Sequence, residues 1–141
     1  MTGTDSSSRL HHVTFAVAPE RLDAATQLFT ELGFTLHAGE LTEAGLRIRL
    51  DWDRGIEIIS PIAGSTASVA ASVNDFLDSH GDGVYTVVVQ IPEARSAESI
   101  AERYGATITY RLNVAGEGSH VEEIKMSVLG LPVTLLDTNV P

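Results

Sequence analysis

Between Leu10 and Val17 the chain reads LHHVTFAV, with Val13, Phe15 and Val17 alternating with His12, Thr14 and Ala16. Period-two alternation predicts a half-buried strand. At Pro19 the period changes: Leu22, Ala25, Leu28, Phe29 and Leu32 recur at helical spacing and predict one apolar stripe. Proline suits the first turn of such a helix and Gly33 its C-terminal end. Phe34 to His37 is a short strand candidate. Gly45 to Trp52 alternates again, with Leu46, Ile48, Leu50 and Trp52 on one face and Arg47, Arg49 and Asp51 on the other. Asp51, Trp52 and Asp53 read as strand end and turn, with Asp53-Arg54-Gly55 as the turn signal, and Ile56 to Ile59 is the next strand, stopped by Ser60-Pro61.

A linker follows from Ala63 to His80, with Val69, Val73, Phe76 and Leu77 as the apolar side of a helix, closed by Gly81-Asp82-Gly83. The pattern then repeats. Val84 to Ile91 is a strand; Pro92-Glu93 leads into a helix carrying Ala97, Ile100, Ala101 and Tyr104; Gly105 ends it. Ala106 to Tyr110, Val121 to Val128 and Val133 to Leu136 are three further strand candidates. Pro19-Glu20 matches Pro92-Glu93 in place, and Gly33 matches Gly105. Two copies of strand-helix-strand-strand-strand, about 60 residues each, form an internal duplication. The expected organisation is a polar, frayed tail over residues 1–9 and one domain over 10–141: module one at 10–62, a linker helix at 63–83 and module two at 84–138.

Composition narrows the function. With 141 residues, one domain is expected. Lys and Arg total 9 against 19 Asp and Glu, a net charge of −10, which argues against nucleic acid and against an anionic membrane surface as partners. There is no cysteine, so any metal must be held by His, Asp or Glu. No apolar run approaches the roughly 18 residues of a membrane helix, and no signal-peptide core is seen at the N-terminus. The expectation is a soluble, cytoplasmic protein.

Leu10-His11-His12-Val13, the Gly33-Phe34 helix ending, Gly45-Leu46, Ile56-Glu57-Ile58-Ile59-Ser60-Pro61 and SVNDFLDSHGDGV from Ser72 to Val84 stand in a shared order around the duplication. In this layout the chain resembles the vicinal oxygen chelate superfamily, which includes glyoxalase I, bleomycin-resistance proteins, extradiol dioxygenases and methylmalonyl-CoA epimerases. The last stretch is similar to the linker of the epimerases. The resemblance runs from Leu10 to about Thr138. It implies an α+β fold: two βαβββ modules whose curved mixed sheets enclose a cleft, with helices on the outer faces, commonly as a homodimer.

The resemblance also implies four metal-ligand positions, which fall here on His12, Glu57, Thr86 and Thr134. His12 and Glu57 match the ligand types of the superfamily. Thr86 replaces a second His and Thr134 a last carboxylate, so the cofactor expected is at most one divalent ion held by His12 and Glu57. The strand-three base of the epimerases falls near Ile48, which cannot take a proton. A one-residue register slip would put Arg47 or Arg49 in the pocket instead, to hold a carboxylate or phosphate; a solvated strand face is the alternative for both.

His12 and Glu57 without metal still suit general acid and base work, since a carboxylate orients imidazole and raises its basicity. A hydrogen-bonded polar pair retained from a metal-binding ancestor is the alternative. His11 should point to the opposite strand face. Thr14, Thr86, Gln90 and Thr134 are expected to line the pocket with His12 as substrate-binding groups, or to satisfy one another. In module two, Glu122, Glu123 and Lys125 with His120 form the richest polar cluster, Glu123 and Lys125 on one strand face and His120 and Glu122 on the other; a catalytic carboxylate from this strand, the equivalent of strand three, is one reading and exposure the other.

The expected activity is that of an isomerase, epimerase or lyase moving a proton next to a carbonyl. Its partner would be a small organic molecule with a carbonyl or acidic C–H. Methylmalonyl-CoA epimerase activity itself is disfavoured by the replaced ligands and base. The second reading is a metal-free protein that sequesters a small molecule, as resistance proteins do. A third is a relative that only dimerises.

Overall fold

The structure is a computed structural model that describes residues 8–141. The expected tail lies outside the described residues for positions 1–7, while Arg9 already opens the first strand. The order of elements is β1 (Arg9–Ala16), a single 3-10 turn (Pro19–Arg21), α1 (Leu22–Glu31), β2 (His37–Leu41), β3 (Leu46–Asp51), β4 (Ile56–Pro61), α2 (Ser68–His80), β5 (Gly83–Gln90), α3 (Ala94–Glu102), β6 (Thr107–Gly116), β7 (Ser119–Val128) and β8 (Leu131–Thr138). The fold is α+β and contains the βαβββ module twice. The chain divides into two compact units, one of His12–Tyr85 and one of Thr86–Pro141 with the chain up to His11.

In the first unit the strands lie in the order β2-β3-β4-β1, with β1 and β4 parallel and the other neighbours antiparallel. Register pairs Thr14 with Glu57 and Ala16 with Ile59. Glu57 in turn pairs with Leu50, and Ile59 with Ile48. Directly paired residues share a face. One face therefore carries His12, Thr14, Ala16, Glu57, Ile59, Leu50, Ile48 and Leu46; the other carries Val17, Ile56, Ile58, Arg47, Arg49 and Asp51.

Each face has its own helix. Leu22, Ala25 and Phe29 of α1 pack on Val17, Ile56 and Ile58. Val69, Val73, Phe76 and Leu77 of α2 pack on Ala16, Leu46, Ile48 and Ile59, at the end of the first face away from His12. The linker helix thus buries the apolar side expected of it. The α1 stripe is narrower than its spacing implied, because Leu28 and Leu32 are 54% and 63% exposed.

In the second unit the order is β5-β8-β7-β6, with β5 and β8 parallel. Ala94, Ala97 and Ala101 of α3 pack on Val89, Ile124, Met126, Val133 and Leu135. Ile100 and Tyr104, expected on that apolar side, are exposed instead. Small alanines bring α3 close to the sheet, and the larger residues stand outside the contact.

Other boundaries also differ from the sequence expectation. The second strand lies at His37–Leu41 rather than Phe34–His37, and every residue in it is exposed. The fourth runs through Ser60 to Pro61, where the proline occupies the final position and interrupts no ladder bond inside the strand. The sixth runs on to Gly116, forming a long hairpin with β7 around Glu117-Gly118.

Candidate functional site

His12 and Thr14 project from the same face of β1, two residues apart, and Glu57 faces them from β4. His12 Nε2 lies 3.3 Å from Glu57 Oε1. Thr14 Oγ1 donates to the same Oε1 at 2.8 Å. The carboxylate is thus gripped through one oxygen by two groups of the neighbouring strand. His12 is only 3% exposed, whereas the Glu57 side chain is 18% exposed and is the reachable member of the pair. The Trp52 ring lies 6.3 Å from the His12 ring, tilted at 42°.

The duplication repeats this geometry with other chemistry. In module one Thr14 pairs with Glu57 in register, and His12 is the diagonal neighbour of Glu57. In module two Val88 pairs with Thr134, and Thr86 is the diagonal neighbour of Thr134. Thr86 and Thr134 therefore occupy the places of His12 and Glu57. Their hydroxyls bond to each other at 2.9 Å, and both residues are buried. Gln90 shares their face but turns its amide to the Thr138 carbonyl at 3.4 Å.

The register slip that would bring Arg47 or Arg49 beside Glu57 does not occur. Leu50 and Ile48 face Glu57 and Ile59, so both arginines lie on the α1 side of the sheet. Arg47 pairs with Glu40 at 3.5 Å, and Arg49 donates to the Ile48 carbonyl at 3.1 Å. Burying one apolar face at Ile48 and Leu46 under α2 fixes the parity of the whole strand. His11, on the opposite face from His12, is buried.

The strand-end reading of Asp51 understated it. Its carboxylate is 3% exposed and accepts from Thr35 N at 2.9 Å and Arg54 N at 3.1 Å. The Thr35 N–H, then that of Arg54, holds the Asp51 carboxyl below the usual aspartate range against the opposing effect of burial.

In module two the structure narrows the polar cluster that the sequence singled out. Register places Lys125 opposite Thr134, and Glu123 opposite Leu136. Lys125 stands at the repeat equivalent of Leu50, and Glu123 at that of Ile48. Both are half-buried, and burial pushes the Lys125 ammonium below the usual lysine range. The parity that put Glu123 and Lys125 on one face in the sequence is the parity of the strand, with Ile124 and Met126 buried on the other face.

A divalent ion at His12 and Glu57 would have one imidazole and one carboxylate. The repeat-equivalent positions supply only hydroxyls, bonded to each other. Among the described residues no group of three or more His, Asp or Glu is placed to hold a metal. This donor set does not fit a firmly held ion.

No protein-family model matches the chain, and no curated protein matches it. Solved structures do. Methylmalonyl-CoA epimerase from Mycobacterium tuberculosis is 23% identical, with a TM-score of 0.64 over 94% of this chain and 88% of that one. A hypothetical protein from Bacillus halodurans is 17% identical, with a TM-score of 0.69 over 96% and 97%. A methylmalonyl-CoA epimerase in complex with methylmalonyl-CoA and NH4+ is 18% identical, with a TM-score of 0.66 over 94% and 96%. The fold is thus shared with methylmalonyl-CoA epimerases, as the repeat and its motifs implied.

Proposed function

We propose that this chain, which has the fold of methylmalonyl-CoA epimerases, is an isomerase or epimerase that moves a proton on a carbon next to a carbonyl. The observation that carries the reading is the grip of His12 and Thr14 on Glu57 Oε1, at 3.3 and 2.8 Å. A carboxylate held in one orientation and still reachable suits a general base. Glu57 takes the proton, the C–H electron pair moves onto the carbonyl to form an enolate, a water molecule gives a proton to the other face of the carbon as the enolate pair returns to it, and the protonated Glu57 passes its proton to the hydroxide that remains, which restores both. His12 and Thr14 keep the carboxylate aimed.

The substrate class that fits is a small molecule with an acidic C–H beside a carbonyl. An acyl thioester is the class bound by the structural neighbour solved with methylmalonyl-CoA. The test is deuterium wash-in at the α-carbon, followed by NMR in heavy water, with methylmalonyl-CoA, other α-substituted acyl-CoA esters and 2-substituted 3-oxo acids as probes. Wash-in that Glu57→Gln removes is the expected result. No wash-in on any probe, or wash-in indifferent to Glu57→Gln, overturns the reading.

A further inference from the structure

The Glu57 carboxylate has apolar neighbours on its own face of the first unit. Register places Leu50 of β3 directly opposite Glu57, which brings their Cβ atoms within roughly 5.5 Å. Trp52, in the turn that leaves β3, sets its ring 6.3 Å from that of His12, on the side of the sheet where His12 meets Glu57. Leu50 and Trp52 are both half-buried. The core under α2 takes in Leu46, Ile48 and Ile59; Leu50 and Trp52 stand beyond it, around the carboxylate. The module does not dictate an apolar residue at position 50, since Lys125 holds the equivalent place in the other copy.

The cations of this unit are turned elsewhere. Residues 12–85 include four arginines and no lysine. Arg47 pairs with Glu40 and Arg49 donates to the Ile48 carbonyl, both on the α1 side of the sheet. Arg54 reaches Asp51, and Arg21 reaches Asp82. His37 shares the face of Glu57 but stands on the exposed edge strand, with Leu50 between the two. Among the described residues of this unit, no arginine stands beside Glu57 on that face.

Such surroundings sort compounds by the group carried on the acidic carbon. A second carboxylate there would lie about 6 Å from that of Glu57, and like charges at that distance cost about a hundredfold in binding at an effective dielectric of about 20. A hydrocarbon group gains instead, by leaving water for the leucine and indole surfaces.

We propose that Leu50 and Trp52 form an apolar wall that receives the substituent on the acidic carbon, so that the substrate is an acyl compound with an alkyl or aryl group there and not a second carboxylate. The proposal rests on Glu57 acting as the base and names the substrate class of that same site. Methylmalonyl-CoA, the ligand of one structural neighbour, carries a carboxylate on that carbon; this wall suits its hydrocarbon counterpart.

The test compares deuterium wash-in on 2-methylbutanoyl-CoA, 2-phenylpropanoyl-CoA and methylmalonyl-CoA, each rate divided by that compound's own exchange rate in buffer so that differences in C–H acidity cancel. Wild type is expected to favour the two hydrocarbon-substituted esters by about a hundredfold. Leu50→Ala should cut that preference by about tenfold, the scale of methylenes lost from an apolar contact. Trp52→Ala should cut it most for the phenyl ester, and Trp52→Phe should restore much of it. Trp52 is the chain's one tryptophan, so its fluorescence reads binding at the wall: the 2-methylbutanoyl thioester of N-acetylcysteamine should quench it saturably and the methylmalonyl thioester should not. Methylmalonyl-CoA exchanging as fast as the hydrocarbon esters, a preference unmoved by Leu50→Ala and Trp52→Ala, or equal quenching by both thioesters overturns the wall and leaves the proton-transfer reading standing. Absence of wash-in on every probe overturns both.

Discussion

Thr14 Oγ1 donates to Glu57 Oε1 at 2.8 Å across the β1–β4 pair, onto the very oxygen that His12 Nε2 approaches at 3.3 Å. If this grip aims a base, its parts differ in weight. Glu57→Gln should slow deuterium wash-in by about a hundredfold or more, the range of a lost general base. Thr14→Val should lower kcat by about tenfold through one lost hydrogen bond while leaving KM nearly unchanged. A steady-state comparison of the two variants checks the order.

The Thr86–Thr134 bond can be isolated by a double-mutant cycle. Each single change to Val should cost about 1 kcal/mol, because one buried hydroxyl loses its partner. The double variant should cost less than the sum, since no orphan remains. Urea unfolding of the four proteins measures the difference.

The carboxylate of Asp51 sets an acid dependence. Its folded pKa lies below the ordinary value of 3.8 because Thr35 N–H and then Arg54 N–H bind the charged form. The folded state therefore takes up its proton at lower pH than the unfolded state. The stabilisation is complete above 3.8 and disappears as pH falls through the folded value. Asp82, held by Arg21, and Glu98, held by Arg111, act in the same direction. Asp51→Asn should be less stable than wild type at neutral pH, with the gap narrowing as pH falls from 3.8 through the lower folded value, read as urea midpoints of the two proteins across an acid pH series.

Leu129 has φ of 54° in the two-residue turn before β8. A leucine there carries the steric cost of the left-handed region, and at 72% exposure it gains no burial in return. Leu129→Asn or Leu129→Gly should raise stability by about 0.5–1 kcal/mol, read as a higher melting temperature.

Gly45 combines φ of 71° with crowding, since an added Cβ would come within 2.8 Å of Ala70 Cβ and also meet Ser65. Gly45→Ala should destabilise by about 2 kcal/mol or more through strain and overpacking together. Gly39→Ala, where the space is open and φ is ordinary, serves as the control in the same melt.

The fold was legible where one face of an element is buried, because burial writes a period into the sequence. Ile48 between Arg47 and Arg49 showed its strand, and Val69, Val73 and Phe76 showed α2. The second strand escaped because all five of its residues are exposed, so hydrophobicity imposes no alternation on it. The tail of the sixth escaped for the same reason: Asn113 to Gly116 are exposed and held by backbone bonds to β7. Leu28 and Leu32 misled because helical spacing records which residues align, not which ones the sheet reaches. The His12–Glu57 pair was legible through the resemblance, which marks both positions. The half-burial of Lys125 was not, because long-range packing decides whether a charged strand face is covered.

The linker helix breaks the symmetry of the first module's site face. It lies over Ala16, Ile59 and Leu46 and leaves His12 and Glu57 at the other end. Helical backbone and packed side chains block one direction of approach along the strands, so this face has a floor and a mouth. If the proton-transfer reading holds, a compound laid along this face would stop at the helix, and its length beyond the acidic carbon would be the property this part of the protein sorts.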